Sequence, residues 1–198
     1  MRTHAFYLGV DFDCNLKFNY HTSHISRKLS RSIGVIYRLR ELLPKRCLLN
    51  LYYSFVYPYL TYCNLIWGGT YACHLHRLVI LQKRVIRIIN HQPYLAHTDP
   101  LFYQSNILKI SDIHNVMVAL FIFKNRDDPR YQREHQHNTR SRNSLLPSYR
   151  RLTTTQRSLS FVGPTVWNRL PVDITNLERL HKFKIEIKKF FITAYHNV

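Results

Sequence analysis

The chain has 198 residues, with 29 Lys+Arg set against 11 Asp+Glu for a formal net charge of +18. A hydrophobic content of 45%, with 14% aromatic residues, is enough for a packed core and excludes a wholly disordered basic chain. The charge excess points to a polyanionic partner, nucleic acid or an anionic membrane surface, rather than a small acidic substrate. Only five glycines argue against glycine-rich phosphate loops and a hairpin-rich all-β fold, so the predicted fold class is mainly α.

In chain order, Phe6–Phe12 alternates with the period of a strand, Phe6, Leu8, Val10 and Phe12 facing one way, and Asp13-Cys14-Asn15 then turns. From about Ser23 the period becomes helical through Ile25, Leu29, Ile33, Ile36 and Leu43, and Pro44 stops the run. A second helical block, Lys45 to Trp67, must break near Pro58 and ends at Gly68-Gly69. It is apolar nearly all round and is expected to be the most buried element. Cys47 through Cys73 carries no Lys, Arg, Asp or Glu. Even so, Asn50, Pro58 and Asn64 at mid-depth, with tyrosines where Leu and Ile would stand, argue against a membrane span, and no stable membrane insertion is expected.

A third helix, Cys73 to Asn90, carries Leu75, Leu78, Leu81, Val85, Ile88 and Ile89 on one broad face. Pro93 and Pro100 bracket a loop, and Ser111 is placed to cap a fourth helix ending near Lys124. Asn125 to Arg157 holds eight arginines and no lysine without apolar periodicity, and reads as an irregular segment. Gly163-Pro164 and Trp167 to Pro171 form a compact turn of chain. A last helix from Leu177 to Tyr195 should bury Leu180, Phe183, Ile187 and Phe190 or Phe191 and expose Lys182, Lys184, Lys188 and Lys189. The four cysteines are widely spaced, with no C-x-x-C and no secretory leader. They imply reduced thiols and an intracellular location, nuclear or cytoplasmic, rather than secretion.

Three constellations bear on chemistry. Asp11 and Asp13 could hold a divalent cation, but no third carboxylate is near in sequence, and Asp in a turn serves neighbouring amides. The twelve histidines, Cys73-His74-Leu75-His76 and His135-Gln136-His137 among them, lack the paired spacing of a structural zinc site. No G-x-S-x-G nucleophile elbow occurs, and no self-contained catalysis is expected. The basic stripes carry more. Arg27, Arg31 and Arg38 lie opposite the apolar face of the first helix, and Arg77, Lys83, Arg84 and Arg87 opposite that of the third. Such rows suit phosphates, which guanidinium forks engage without reading base sequence.

Ordered blocks carry a resemblance. They include Tyr7-Leu8-Gly9-Val10 with Asp13, Arg38-Leu39-Arg40, Leu51-Tyr52-Tyr53-Ser54, Leu81-Gln82-Lys83-Arg84, His97 to Phe102, Thr139-Arg140 and Trp167-Asn168 with Leu170-Pro171. Together they resemble the C-terminal part of LINE-type, jockey-like non-long-terminal-repeat retrotransposon reverse transcriptases. The resemblance implies the end of the palm over 1–22 and a helical thumb-like domain over 23–124; the residue pattern adds an irregular basic segment over 125–160 and a C-terminal helical segment over 161–198. It also implies a nucleic-acid partner, an RNA–DNA hybrid or DNA duplex, and packing against palm and fingers. No Y-x-D-D occurs in the chain, so the Mg²⁺ that the full-length family enzyme uses has no expected place here, and no cofactor is expected. Two other readings stand beside this one: a translated remnant with no present activity, and a binder of anionic membranes through the lysines of the last helix.

Overall fold

The computed structural model describes residues 4–126, 128, 145, 151–152 and 155–196. It divides into two compact units, Met1–His114 with Phe191–Val198, and Asn115–Phe190. The fold is mainly helical, with one two-stranded antiparallel sheet among the described residues.

In the first unit the run expected as a single strand folds back on itself. Strands β1 (His4–Tyr7) and β2 (Val10–Asp13) pair antiparallel, with Tyr7 opposite Val10. A two-residue turn of this kind needs positive φ at its centre, and Leu8 and Gly9 supply it at 45° and 81°. A leucine in the turn prolonged the apparent alternation and hid the reversal. Val10 is buried, whereas Phe6 and Leu8 are exposed.

The carboxylate of Asp13 accepts the backbone N–H groups of Asn15 and Lys17 at 3.1 and 2.9 Å, shaping the turn into helix α1 (Asn19–Leu39). This helix starts ahead of the predicted Ser23 and buries Ile25, Leu29, Ile33 and Ile36, as their spacing predicts. The charge-free block then divides into three helices: α2 (Lys45–Phe55), α3 (Tyr57–Thr61) and α4 (Asn64–Trp67). Pro58 opens α3, and Cys63 at φ 50° makes a second break.

The expectation that this block is the most buried is corrected. Leu48, Tyr52, Val56, Leu60 and Asn64, every fourth residue, form one buried stripe, while Tyr53, Phe55, Tyr62 and Ile66 are exposed. Two of the tyrosines, Tyr53 and Tyr62, keep their hydroxyls near the surface, whereas Tyr52 is buried whole. Tyr62 Oη donates to the Leu8 carbonyl at 2.7 Å, and Tyr53 Oη donates to that of Asn106 at 3.4 Å. Among the described residues no helix is long and apolar enough to cross a membrane.

Helix α5 (Ala72–Ile89) packs along α1 and buries Leu78, Leu81, Val85, Ile88 and Ile89. The two run parallel: Thr70 Oγ1, just before α5, donates to the carbonyl of Lys17, just before α1. Helix α6 (Asp99–Gln104) occupies part of the expected loop, because Pro100 at its first turn lacks only an N–H that a helix start would leave unpaired. Helix α7 (Ile110–Lys124) begins one residue before Ser111, which is not its cap. Remote side chains serve instead: Gln82 Oε1 accepts the Ile110 N–H at 2.9 Å, and Tyr195 Oη accepts that of Lys109 at 3.1 Å.

In the second unit the segment expected as a compact turn is helical, as α8 (Leu159–Trp167) followed by α9 (Val172–Thr175). Its core is an aromatic cluster. The ring of Phe183, on α10 (Leu180–Thr193), stacks at 4.4 Å on Phe123 and 5.7 Å on Trp167. A Cβ on Gly163 would stand 2.6 Å from Ile122 Cδ1, so any larger residue there requires the isoleucine side chain to move. The α10 helix is shorter than the predicted span, and Leu180, expected to be buried, is exposed at its first position, before the helix reaches cover. The irregular arginine-rich segment lies for the most part outside the described residues, as do His135, His137 and the Thr139-Arg140 pair.

Candidate nucleic-acid interface

On a helix turning 100° per residue, Arg27, Arg31 and Arg38 fall within an arc of about 40° and span about 16 Å of axis. All three are exposed and make no hydrogen bond or ion pair among the described residues. The apolar residues of α1 face α5, so packing itself turns this row to solvent. On α5, Arg77 and Arg84 are exposed in the same way, while Lys83 and Arg87 are half-buried.

The structure brings only some of these groups together. Arg84 and Arg87 meet Arg40, which follows the end of α1, around a cleft of about 280 Å³ whose walls include Tyr37 and Tyr94. Arg87 Nε donates to the Ala96 carbonyl at 2.8 Å, and its guanidinium lies 5.8 Å from the centre of the Tyr94 ring. The Arg40 guanidinium sits 4.7 Å over Tyr37 and pairs with Glu41 at 2.7 Å. Arg40 is not part of the predicted row, because at 100° per residue it falls at least about 140° round the helix from Arg27, Arg31 and Arg38. Its signal was the Tyr37-x-x-Arg40 spacing, one helical turn, which sets a guanidinium over a ring.

Lys83 belongs elsewhere. It lines a separate cleft of about 200 Å³ with Asp99 and Lys109, where Lys109 Nζ pairs with Asp99 at 2.9 Å. Beside it Gln82, which the sequence placed on no site, is buried and joins three segments. Its Nε2 donates to Tyr52 Oη at 3.1 Å and to the Leu108 carbonyl at 2.8 Å, while its Oε1 holds the start of α7. Burial pushes the Tyr52 hydroxyl far above its ordinary range, so it remains a neutral partner. Lys28, also absent from the predicted set, reaches 5.5 Å from the Tyr59 ring at a cavity of about 310 Å³ between α1 and α3.

The two early aspartates are structural in their contacts. Asp11 accepts from or pairs with His24 Nδ1 at 3.1 Å and lies 3.7 Å from His21 Nδ1, and Asp13 serves the turn amides. Among the described residues no group of three His, Cys, Asp or Glu side chains is arranged to hold a metal ion.

Over 109 residues, 54% of the chain, the sequence is 28% identical to the RNA-directed DNA polymerase from mobile element jockey of Drosophila melanogaster, and the chain spans about 12% of that protein's length. No protein-family profile and no solved structure matches the chain. The chain is thus similar in sequence to a region of a retrotransposon reverse transcriptase.

Proposed function

We propose that this chain is the thumb and following C-terminal region of a LINE-type, jockey-like reverse transcriptase, and that it grips an RNA–DNA hybrid or DNA duplex by its backbone. The observation that carries the proposal is the exposed, unpaired row of Arg27, Arg31 and Arg38 on a helix held rigid along its length by α5. Each guanidinium offers a fork of donors to a phosphate, and each phosphate neutralised releases counterion, so such a row binds duplex of any sequence. Arg77 and Arg84 extend the positive surface along α5. Contacts of this kind fix position and register and leave base sequence unread.

On this reading the carboxylates of polymerisation belong to the palm of the parent enzyme. Two-metal phosphoryl transfer needs carboxylates clustered on a rigid support, whereas Asp11 is engaged with His24 and Asp13 with turn amides. The exposed Tyr53, Phe55 and Ile66 of α2 and α4 give the palm and fingers of a parent polymerase an apolar surface to pack on.

Fluorescence anisotropy with a labelled RNA–DNA hybrid tests the grip. The triple variant Arg27→Ala, Arg31→Ala, Arg38→Ala should bind at least about tenfold more weakly at low salt, with unchanged circular dichroism, since each side chain is exposed and makes no hydrogen bond or ion pair among the described residues. Equal binding by the variant contradicts the grip and leaves a helical remnant without that activity. Sedimentation with phosphatidylserine vesicles that matches or exceeds hybrid binding would favour the membrane reading instead.

A further inference from the structure

We propose that the cleft at the C-terminal ends of α1 and α5 holds one unpaired nucleotide at the end of a duplex, its phosphate on Arg40, Arg84 and Arg87 and its base on the exposed face of Tyr94. The inference deepens the duplex grip proposed above and rests on it for the class of ligand.

The cleft differs in kind from the open arginine row. A helix C-terminus favours cations in its last turn, opposite the partial negative charge of its free carbonyls. Here three guanidiniums from two helix ends share about 280 Å³, and among the described residues the one carboxylate bonded to any of them, Glu41, sits on Arg40. Arg84 makes no hydrogen bond or ion pair among the described residues. Arg87 spends Nε on Ala96, which fixes the side chain and leaves its terminal nitrogens for an anion. This concentration of positive charge in a concave site is complementary to a phosphate, and the planar forks suit its oxygens.

The walls supply the second half of the recognition. Tyr94 is 73% exposed although one side of its ring faces the Arg87 guanidinium, and Tyr37 is 48% exposed although Arg40 lies over it. A base within a duplex has both faces stacked, but an unpaired base presents a free one. An arginine-backed tyrosine is a stacking platform for such a base, tolerant of its identity. Gln92, also lining the cleft, carries an amide of the kind that donates to or accepts from a base edge. The volume admits one such unit and no duplex, near the lower limit of about 300 Å³ for small-molecule sites.

The test compares a blunt RNA–DNA hybrid with the same hybrid carrying a two-nucleotide single-stranded overhang, at either end, and with an abasic version of that overhang. The full chain should bind the overhang hybrid about tenfold more tightly than the blunt one, and the abasic overhang should lose most of the gain. Tyr94→Ala should remove the gain while leaving blunt-hybrid affinity unchanged, and Tyr94→Phe should restore it. An overhang that confers no gain, or a gain retained in Tyr94→Ala, overturns the proposal. A short single-stranded oligonucleotide, titrated alone, separates the two ideas. Tyr94-dependent binding of that oligonucleotide without duplex binding would overturn the grip and keep the cleft, whereas duplex binding indifferent to overhang and Tyr94 would overturn the cleft alone.

Discussion

Gln82 ties α2, the strand of chain at Leu108 and the first turn of α7 through one buried amide. A buried polar group left without its partner costs about 1 to 3 kcal/mol, and Gln82→Leu orphans the Ile110 N–H and the Leu108 carbonyl together. Denaturant unfolding should therefore show a loss of about 3 kcal/mol, against less than about 1 kcal/mol for Lys83→Ala one position along, whose head group is only partly covered. Similar losses for the two would show that the amide carries no such structural weight. The histidines set a pH dependence. Burial pushes the pKa of His114 below the ordinary 6.5, and burial likewise lowers that of His21, outweighing the opposing pull of Asp11. An unfolded chain then binds these protons more readily than the folded one, so stability is level above about pH 7 and declines as pH falls below 6.5. His114 Nδ1 faces the backbone and side-chain oxygens of Asn64 at 3.2 and 3.1 Å. Melting midpoints of the wild type and His114→Gln across pH 5 to 8 should show the shallower decline in the variant; parallel curves would contradict the assignment.

At the scale of elements, the hairpin turn offers a gain. Leu8 holds φ at 45° with its side chain 69% exposed, a conformation costly for leucine and easy for asparagine. Leu8→Asn keeps the backbone carbonyl that receives Tyr62 Oη and should raise stability by about 0.5 to 1 kcal/mol, seen as a higher melting temperature; a drop would place the leucine side chain in an unrecognised contact. The long amphipathic helices were legible because period sets burial directly: Ile25, Leu29, Ile33 and Ile36 on α1, and Leu78, Leu81, Val85 and Ile89 on α5, are buried where their spacing put them. The elements that escaped were set by non-local contacts or by one residue's conformation. The Leu8 turn looked like one more strand residue, α6 hid behind Pro100, and the start of α7 is fixed by Gln82 and Tyr195, far away in sequence. The exposure of Arg27, Arg31, Arg38, Arg77 and Arg84 was readable for the same reason as the helices, whereas Lys83 and Arg87, set on the same predicted face, are half-buried. The cleft was not readable, because it joins residues more than 40 positions apart through the parallel pairing of α1 and α5, which no local pattern encodes.

For the whole molecule, a charge of +18 on 198 residues produces a field that draws in any polyanion, so affinity alone is a weak discriminator. What separates a built interface from diffuse attraction is the number of phosphates displaced from their counterions, which the salt dependence counts. The most direct measurement is the slope of log affinity against log salt concentration for an RNA–DNA hybrid, in the full chain and in the triple variant at Arg27, Arg31 and Arg38. A built row predicts that removing three guanidiniums lowers the magnitude of the slope by about 2 to 3, at about 0.9 for each duplex phosphate contacted. An unchanged slope would mean that the row touches no phosphate, and would contradict the thumb-like grip.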